Sequence, residues 1–215
     1  MALPAEQSNG QLNDSSLRPP FIEMLLAPGA AAVLGGRVAR WLEYVPQESW
    51  ILDLGCGPTS LVVRAGWRRT IAVDLSSRSA AAVRRSGTTA LVATGSQLPF
   101  TDERFDAVWC SGMLHHVSDA IARAAVREIL RVTRPCGRVL LFDAVLPEPA
   151  WRRPLPWLVR RCDRGRYMRR QAALEALLPQ PKVWTRERFT YARNGLEGLW
   201  CEYRKDAAAS DAGTS

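Results

Sequence analysis

Five short apolar runs set the limits on what this chain can become: 50–54 (WILDL), 70–75 (TIAVDL), 89–94 (TALVAT), 105–110 (FDAVWC) and 137–145 (GRVLLFDAV). Each is almost continuously apolar, which suits parallel strands covered on both faces. Helical spacing separates them at about 59–66, 77–86 and 118–133. In the last of these, Ala120, Ile121, Ala124, Ala125, Ile129 and Val132 recur along one face. Ser118 stands at its N-cap, and Pro135 with Gly137 ends it. Such alternation predicts an α/β architecture with a doubly wound, Rossmann-like sheet. The stretch 182–205 carries two β-rich arms around Asn194-Gly195, a hairpin signal. The expected fold is therefore one seven-stranded sheet, mostly parallel, with a C-terminal antiparallel hairpin.

A length of 215 residues, 47% of them hydrophobic, suits a single core. The domain is expected over 18–205, with disordered polar tails at 1–17 and 206–215. The start of the chain is polar and lacks the basic and apolar regions of a secretory signal, and no apolar run is long enough to span a bilayer. The expected location is cytoplasmic. The five cysteines are scattered, with no CxxC spacing, so neither a metal site nor a disulfide framework is expected.

Net charge is +8, carried almost wholly by arginine. Genome composition accounts for that skew. The local density in 151–170 (WRRPLPWLVRRCDRGRYMRR) is more specific, with eight arginines against one aspartate. It belongs to a basic helical segment, 151–181. Interleaved Trp151, Leu155, Trp157, Leu158 and Val159 leave three readings open. The segment meets an apolar substrate with an acidic group, docks on an anionic membrane, or is a helix with a solvated arginine face.

The first run ends in Asp53-Leu54-Gly55-Cys56-Gly57. Glycines at the carboxyl end of a strand permit a tight turn and close approach of a ligand. Asp74 ends the second run about 20 residues on, where an acid accepts hydrogen bonds from ribose hydroxyls. A dinucleotide site asks for a third glycine, and Ser60 stands in its place. The pattern favours a nucleoside without a pyrophosphate.

Four motifs in order resemble the class I S-adenosylmethionine-dependent methyltransferases, in particular small ones similar to quinone-biosynthesis C-methyltransferases. They are ILDLGCGP (51–58), IAVDLS (71–76), LPFTDERFDAVWCSGMLHHVSD (98–119) and EILRVTRPCGRVLLFDAV (128–145). The resemblance implies S-adenosylmethionine as cofactor and a small-molecule methyl acceptor. It implies that the turn of Asp53, Gly55, Cys56 and Gly57 passes the methionine and ribose, that Asp74 holds the ribose hydroxyls and that Leu75 packs on adenine. Thr94, Gly95, Ser96 and Gln97 would border the ring. Cys110 and Ser111 would face the methionine end, with Arg37 or Arg40 on its carboxylate. Thr59, Thr94 and Cys136 depart from the family pattern at a glycine, an acid and a glycine; the last is expected to be neutral because Gly137 remains.

His115 and His116, the only histidines, follow the fourth run at the face where the methyl is presented. One of them positions or deprotonates the acceptor, or the pair shapes the loop. Tyr167 and Trp184 are either acceptor-pocket or core residues. RNA or protein methylation through the arginine segment, and a methyltransferase fold that binds a partner without turnover, are the alternatives. No signature of nucleic-acid methylation is present, so nucleic acid is the weaker partner.

Overall fold

A computed structural model describes residues 27–161 and 166–207. The tail 1–17 and the part of 206–215 beyond residue 207 lie outside the described residues. The apolar runs form β1 (Ile51–Leu54), β2 (Thr70–Asp74), β3 (Thr89–Val92), β4 (Phe105–Ser111) and β5 (Thr133–Ala144). The hairpin arms are β6 (Thr185–Thr190) and β7 (Glu197–Arg204). The sheet order is β3-β2-β1-β4-β5-β7-β6. The first five strands pair in parallel, and β7 runs antiparallel between β5 and β6. This is the expected sheet, with its order reversing between β1 and β4.

Helices α1 (Ala30–Leu42), α2 (Leu61–Arg64), α3 (Ser77–Arg85), α4 (Asp119–Val132), α5 (Pro154–Arg161) and α6 (Gln171–Glu175) cover the sheet. Alternation along β1 assigns the two faces. Leu52 and Leu54 join the α4 side with Val126, Ile129 and Leu174, while Ile51 joins the α1 side with Val38, Trp41 and Leu42. The second face is aromatic: Trp109 lies 6.1 Å from Trp41 and 5.6 Å from Trp200, and Phe142 meets Tyr191 edge-on at 5.4 Å. Trp184 is core, stacked 5.0 Å from Tyr203 with its indole N–H donated to the Pro179 carbonyl.

Several boundaries differ from expectation. The helix expected at 59–66 shrinks to α2, because Ser60 caps it through the Val63 N–H and Gly66 turns left-handed at φ 89°. Ser118 has the N-cap backbone of α4, but its side chain caps nothing. Helix α4 stops at Val132, before the Pro-Cys-Gly stretch, which falls inside β5 as an irregularity opposite Phe105–Ala107. There Cys136 takes φ 59°, a conformation that favours glycine. The expected neutrality of cysteine at this position is therefore corrected. Gly137 is sterically required: a Cβ would lie 2.7 Å from the Arg134 carbonyl oxygen.

Candidate active site

The carboxyl ends of β1, β2 and β4 bring most of the expected residues together. Gly55 and Gly57 have φ of 71° and 58°, which a glycine adopts without strain. Asp74 fixes this turn by accepting the Gly57 N–H at 2.9 Å, and it accepts the Ser76 N–H at 2.8 Å. Ser76, not Asp74, caps α3. Leu75 stands 51% exposed beside this carboxylate. The turn after β3 is held by Thr94, whose hydroxyl meets the Ser96 hydroxyl at 2.9 Å and whose carbonyl accepts the Gln97 N–H.

Asp53 is the most unusual group in the cluster. It is 1% exposed, and its Oδ2 has no hydrogen-bond partner. Burial, opposed by the Ser60 hydroxyl and reinforced by Asp74, raises its pKa to about 7. A Cβ added to Gly57, by contrast, would meet nothing within 4 Å. An orphaned acceptor beside an open glycine turn, with a ribose-type carboxylate and an exposed leucine one strand away, fits S-adenosylmethionine.

The second half of the cluster lies at the ends of β4 and β5. His115 Nδ1 meets Asp143 Oδ1 at 2.5 Å, and Asp143 Oδ2 accepts the His115 backbone N–H at 2.9 Å. Asp143 Oδ1 also accepts the Ala144 N–H at 2.7 Å. Burial pushes the Asp143 carboxyl up, but the His115 ring and these donors hold it below the usual carboxylate range. Three nitrogens thus converge on one buried carboxylate, which favours the imidazole tautomer with the proton on Nδ1. The His116 ring lies tilted against this one, 4.0 Å between centroids. Cys110 is buried, with its thiol pushed well above its ordinary value by burial, and Ser111 is half-buried at the end of β4.

Residues 52–141 match the family model described as "Methyltransferase domain". The match takes in less than half of the chain, and this stretch resembles a methyltransferase domain. Over 107 residues the chain is 32% identical to probable tRNA methyltransferase 9B of Homo sapiens, a match covering 49% of this chain and 24% of that protein. It is 33% identical over 125 residues to demethylmenaquinone methyltransferase of Corynebacterium glutamicum, covering 57% of this chain and 53% of the relative. The chain thus spans from a quarter to about half of these relatives. Among solved structures, the Bacillus subtilis YcgJ protein superposes with a TM-score of 0.60 at 19% identity, covering 83% of this chain and 99% of that one. Geranyl diphosphate C-methyltransferase of Streptomyces coelicolor gives 0.64 at 15% identity, covering 81% and 79%.

Arg37 is not drawn into the methyltransferase cluster. Its guanidinium makes a two-pronged pair with Glu187 at 2.5 and 2.7 Å and lies 3.7 Å from the Phe189 ring centroid. Glu187 stands three strands from Ser111 along the row Ser111–Phe142–Trp200–Glu187, about 14 Å away. The strong carboxylate partner fixes Arg37 at the sheet edge. Arg40 lies near enough to Glu187 to help lower that group's pKa below the ordinary carboxylate range.

Four arginines of the basic segment are engaged by the fold. Arg153 pairs with Glu197, Arg160 donates to the Tyr191 hydroxyl, and Arg170 lies 3.9 Å from Glu148. Buried Arg169 donates to the carbonyls of Leu114 and Val117 and to Asp119. The Tyr167 N–H is donated to the His115 carbonyl. The segment 166–170 is thereby strapped across the histidine loop. Sequence reasoning missed Asp143, Met113 and Arg169. Asp143 had a signal, being a lone acid within an apolar strand run. Met113 had none, yet its side chain fills the space at Gly55, where a Cβ would come within 2.9 Å of it.

Proposed function

We propose that this protein transfers the methyl group of S-adenosylmethionine to a small acceptor at the carboxyl ends of β4 and β5. His115 takes the acceptor's proton, and Asp143 is the positioning residue. The observation that carries this reading is the 2.5 Å contact between His115 Nδ1 and the buried Asp143 carboxylate. The cofactor supplies an electrophilic methyl on a sulfonium. Asp74 and the glycine turn bind its ribose, Leu75 packs on its adenine, and Asp53 accepts from its ammonium. Asp143 keeps a proton on Nδ1, so Nε2 is the nitrogen that accepts one from the acceptor. The strap at 166–170 shields this loop from water.

An apolar acceptor is favoured by α5. Arg160 of that helix meets the Glu197 carbonyl at the β5–β7 end of the site, and its Leu155 and Leu158, with Trp151 just before it, are exposed. RNA methylation has support from the tRNA methyltransferase relatives, but the internal pairing of Arg153, Arg160 and Arg169 removes much of the basic surface it requires. Among the described residues no helix is long and apolar enough to cross a membrane.

Calorimetric titration with S-adenosylmethionine and S-adenosylhomocysteine tests the cofactor half. Asp74→Ala should weaken both by about 10- to 100-fold, since it removes charge-assisted hydrogen bonds. Release of S-adenosylhomocysteine is then followed over a panel of quinols, phenols and fatty acids. His115→Ala should lower turnover about 10²- to 10⁴-fold with cofactor affinity unchanged. Equal turnover by wild type and His115→Ala would overturn the assignment of the base.

A further inference from the structure

The pole of the sheet opposite the glycine turn has a construction that methyl transfer does not use. Two adjoining hollows open there, of about 190 Å³ and about 230 Å³. Arg138 and Arg204 line both. They stand directly opposite each other on the antiparallel β5–β7 pair, an arrangement in which like charges repel. Arg138 and Phe142 are four positions apart along β5, about 13 Å, so these hollows are remote from the methyl-transfer end.

Among the described residues neither guanidinium has a carboxylate partner. Arg138 lies over the Tyr44 ring at 5.7 Å. The acids that line these hollows have partners of their own. Asp106 pairs with Arg134 and accepts the Trp50 N–H, and Glu202 accepts the Trp200 indole N–H at 2.6 Å. Trp41 also lines the larger hollow, and its own buried indole N–H has no acceptor. The Trp41 indole and the guanidiniums of Arg138 and Arg204 thus line a space that protein atoms leave open, with the Asp106 and Glu202 carboxylates already engaged. An orphaned buried donor and two facing guanidiniums are what an oxyanion satisfies together.

We propose that this pole binds a small phosphate-bearing anion, bridged between Arg138 and Arg204. Planar guanidiniums match phosphate oxygens in pairs, and a bridging anion converts the cross-strand repulsion into attraction.

The test is titration of the full chain with inorganic phosphate at constant ionic strength, read by calorimetry and thermal unfolding. Wild type should bind saturably and unfold several degrees higher at saturation. Arg138→Gln and Arg204→Gln should each bind phosphate at least tenfold more weakly. In chloride alone both should unfold at or above the wild-type temperature, because each removes a repulsion. A merely structural arginine would lower it. Phosphate also raises unfolding temperatures by exclusion from the surface, so the wild-type-minus-variant difference is the reading. Equal phosphate response in wild type and both variants overturns the site. So does arginine-dependent retention of an RNA oligonucleotide without any response to free phosphate, which would make the surface a polymer contact.

Discussion

Asp53 is a carboxyl held where its charged form is poorly solvated. Its folded pKa of about 7 lies above the ordinary 3.8, so the folded state holds the proton more tightly than the unfolded state. Stability therefore falls as pH rises from about 4 to about 7, by at most about 4 kcal/mol from this group. Urea unfolding across pH should show that loss in wild type and its absence in Asp53→Asn. The same group predicts that S-adenosylmethionine binding near pH 6 releases a proton, visible as a buffer-dependent binding heat. Cys136 illustrates backbone cost. Its left-handed conformation costs about 1–2 kcal/mol, and a glycine returns part of that gain as lost chain entropy. Cys136→Gly should stabilise the protein by about 0.5–1 kcal/mol in equilibrium unfolding.

The hairpin and the strap carry the next level of order. Gly198 of β7 lies against Phe142, and a Cβ there would sit 2.3 Å from the ring. Gly198→Ala should cost about 1–3 kcal/mol by overpacking, measured by the urea midpoint. Arg169→Ala orphans the Leu114 and Val117 carbonyls. Hydrogen exchange should speed up at Tyr167 N–H and Leu146 N–H, which bond to His115 and Arg169 carbonyls. Strands were legible because runs such as ILDL and FDAVWCS are apolar on both faces, and Asn194-Gly195 marked the hairpin. The glycine turn and Asp74 were legible because turn chemistry is local. The fate of Arg37 was not, since its partner Glu187 is 150 residues away and pairing across that separation leaves no local pattern. The His115–Asp143 contact was hidden for the same reason. It forms only once β5 lies beside β4.

At the level of the molecule, part of the arginine excess serves cohesion. Arg131, Arg169 and Arg188 each hold several groups, joining helix to loop, strap to histidine loop and β6 to β7. Lysine, with its compact charge, would not hold such forks. The sheet order has a consequence for synthesis. Strand β7 inserts between β5 and β6, although it is made after both. Roughly 50 residues separate the end of β5 from the start of β7, and a ribosome adds about 5–20 residues per second. For about 3–10 s, then, a nascent chain carries Val139, Leu140, Leu141 and Phe142 on an uncovered strand edge, the form of backbone most ready to pair with a neighbour. A chain truncated after Thr190 should leave the amides of these four residues unprotected and aggregate, whereas one reaching Lys205 should not. Crowding on the polysome thus meets a β5 edge that only the later synthesis of β7 closes.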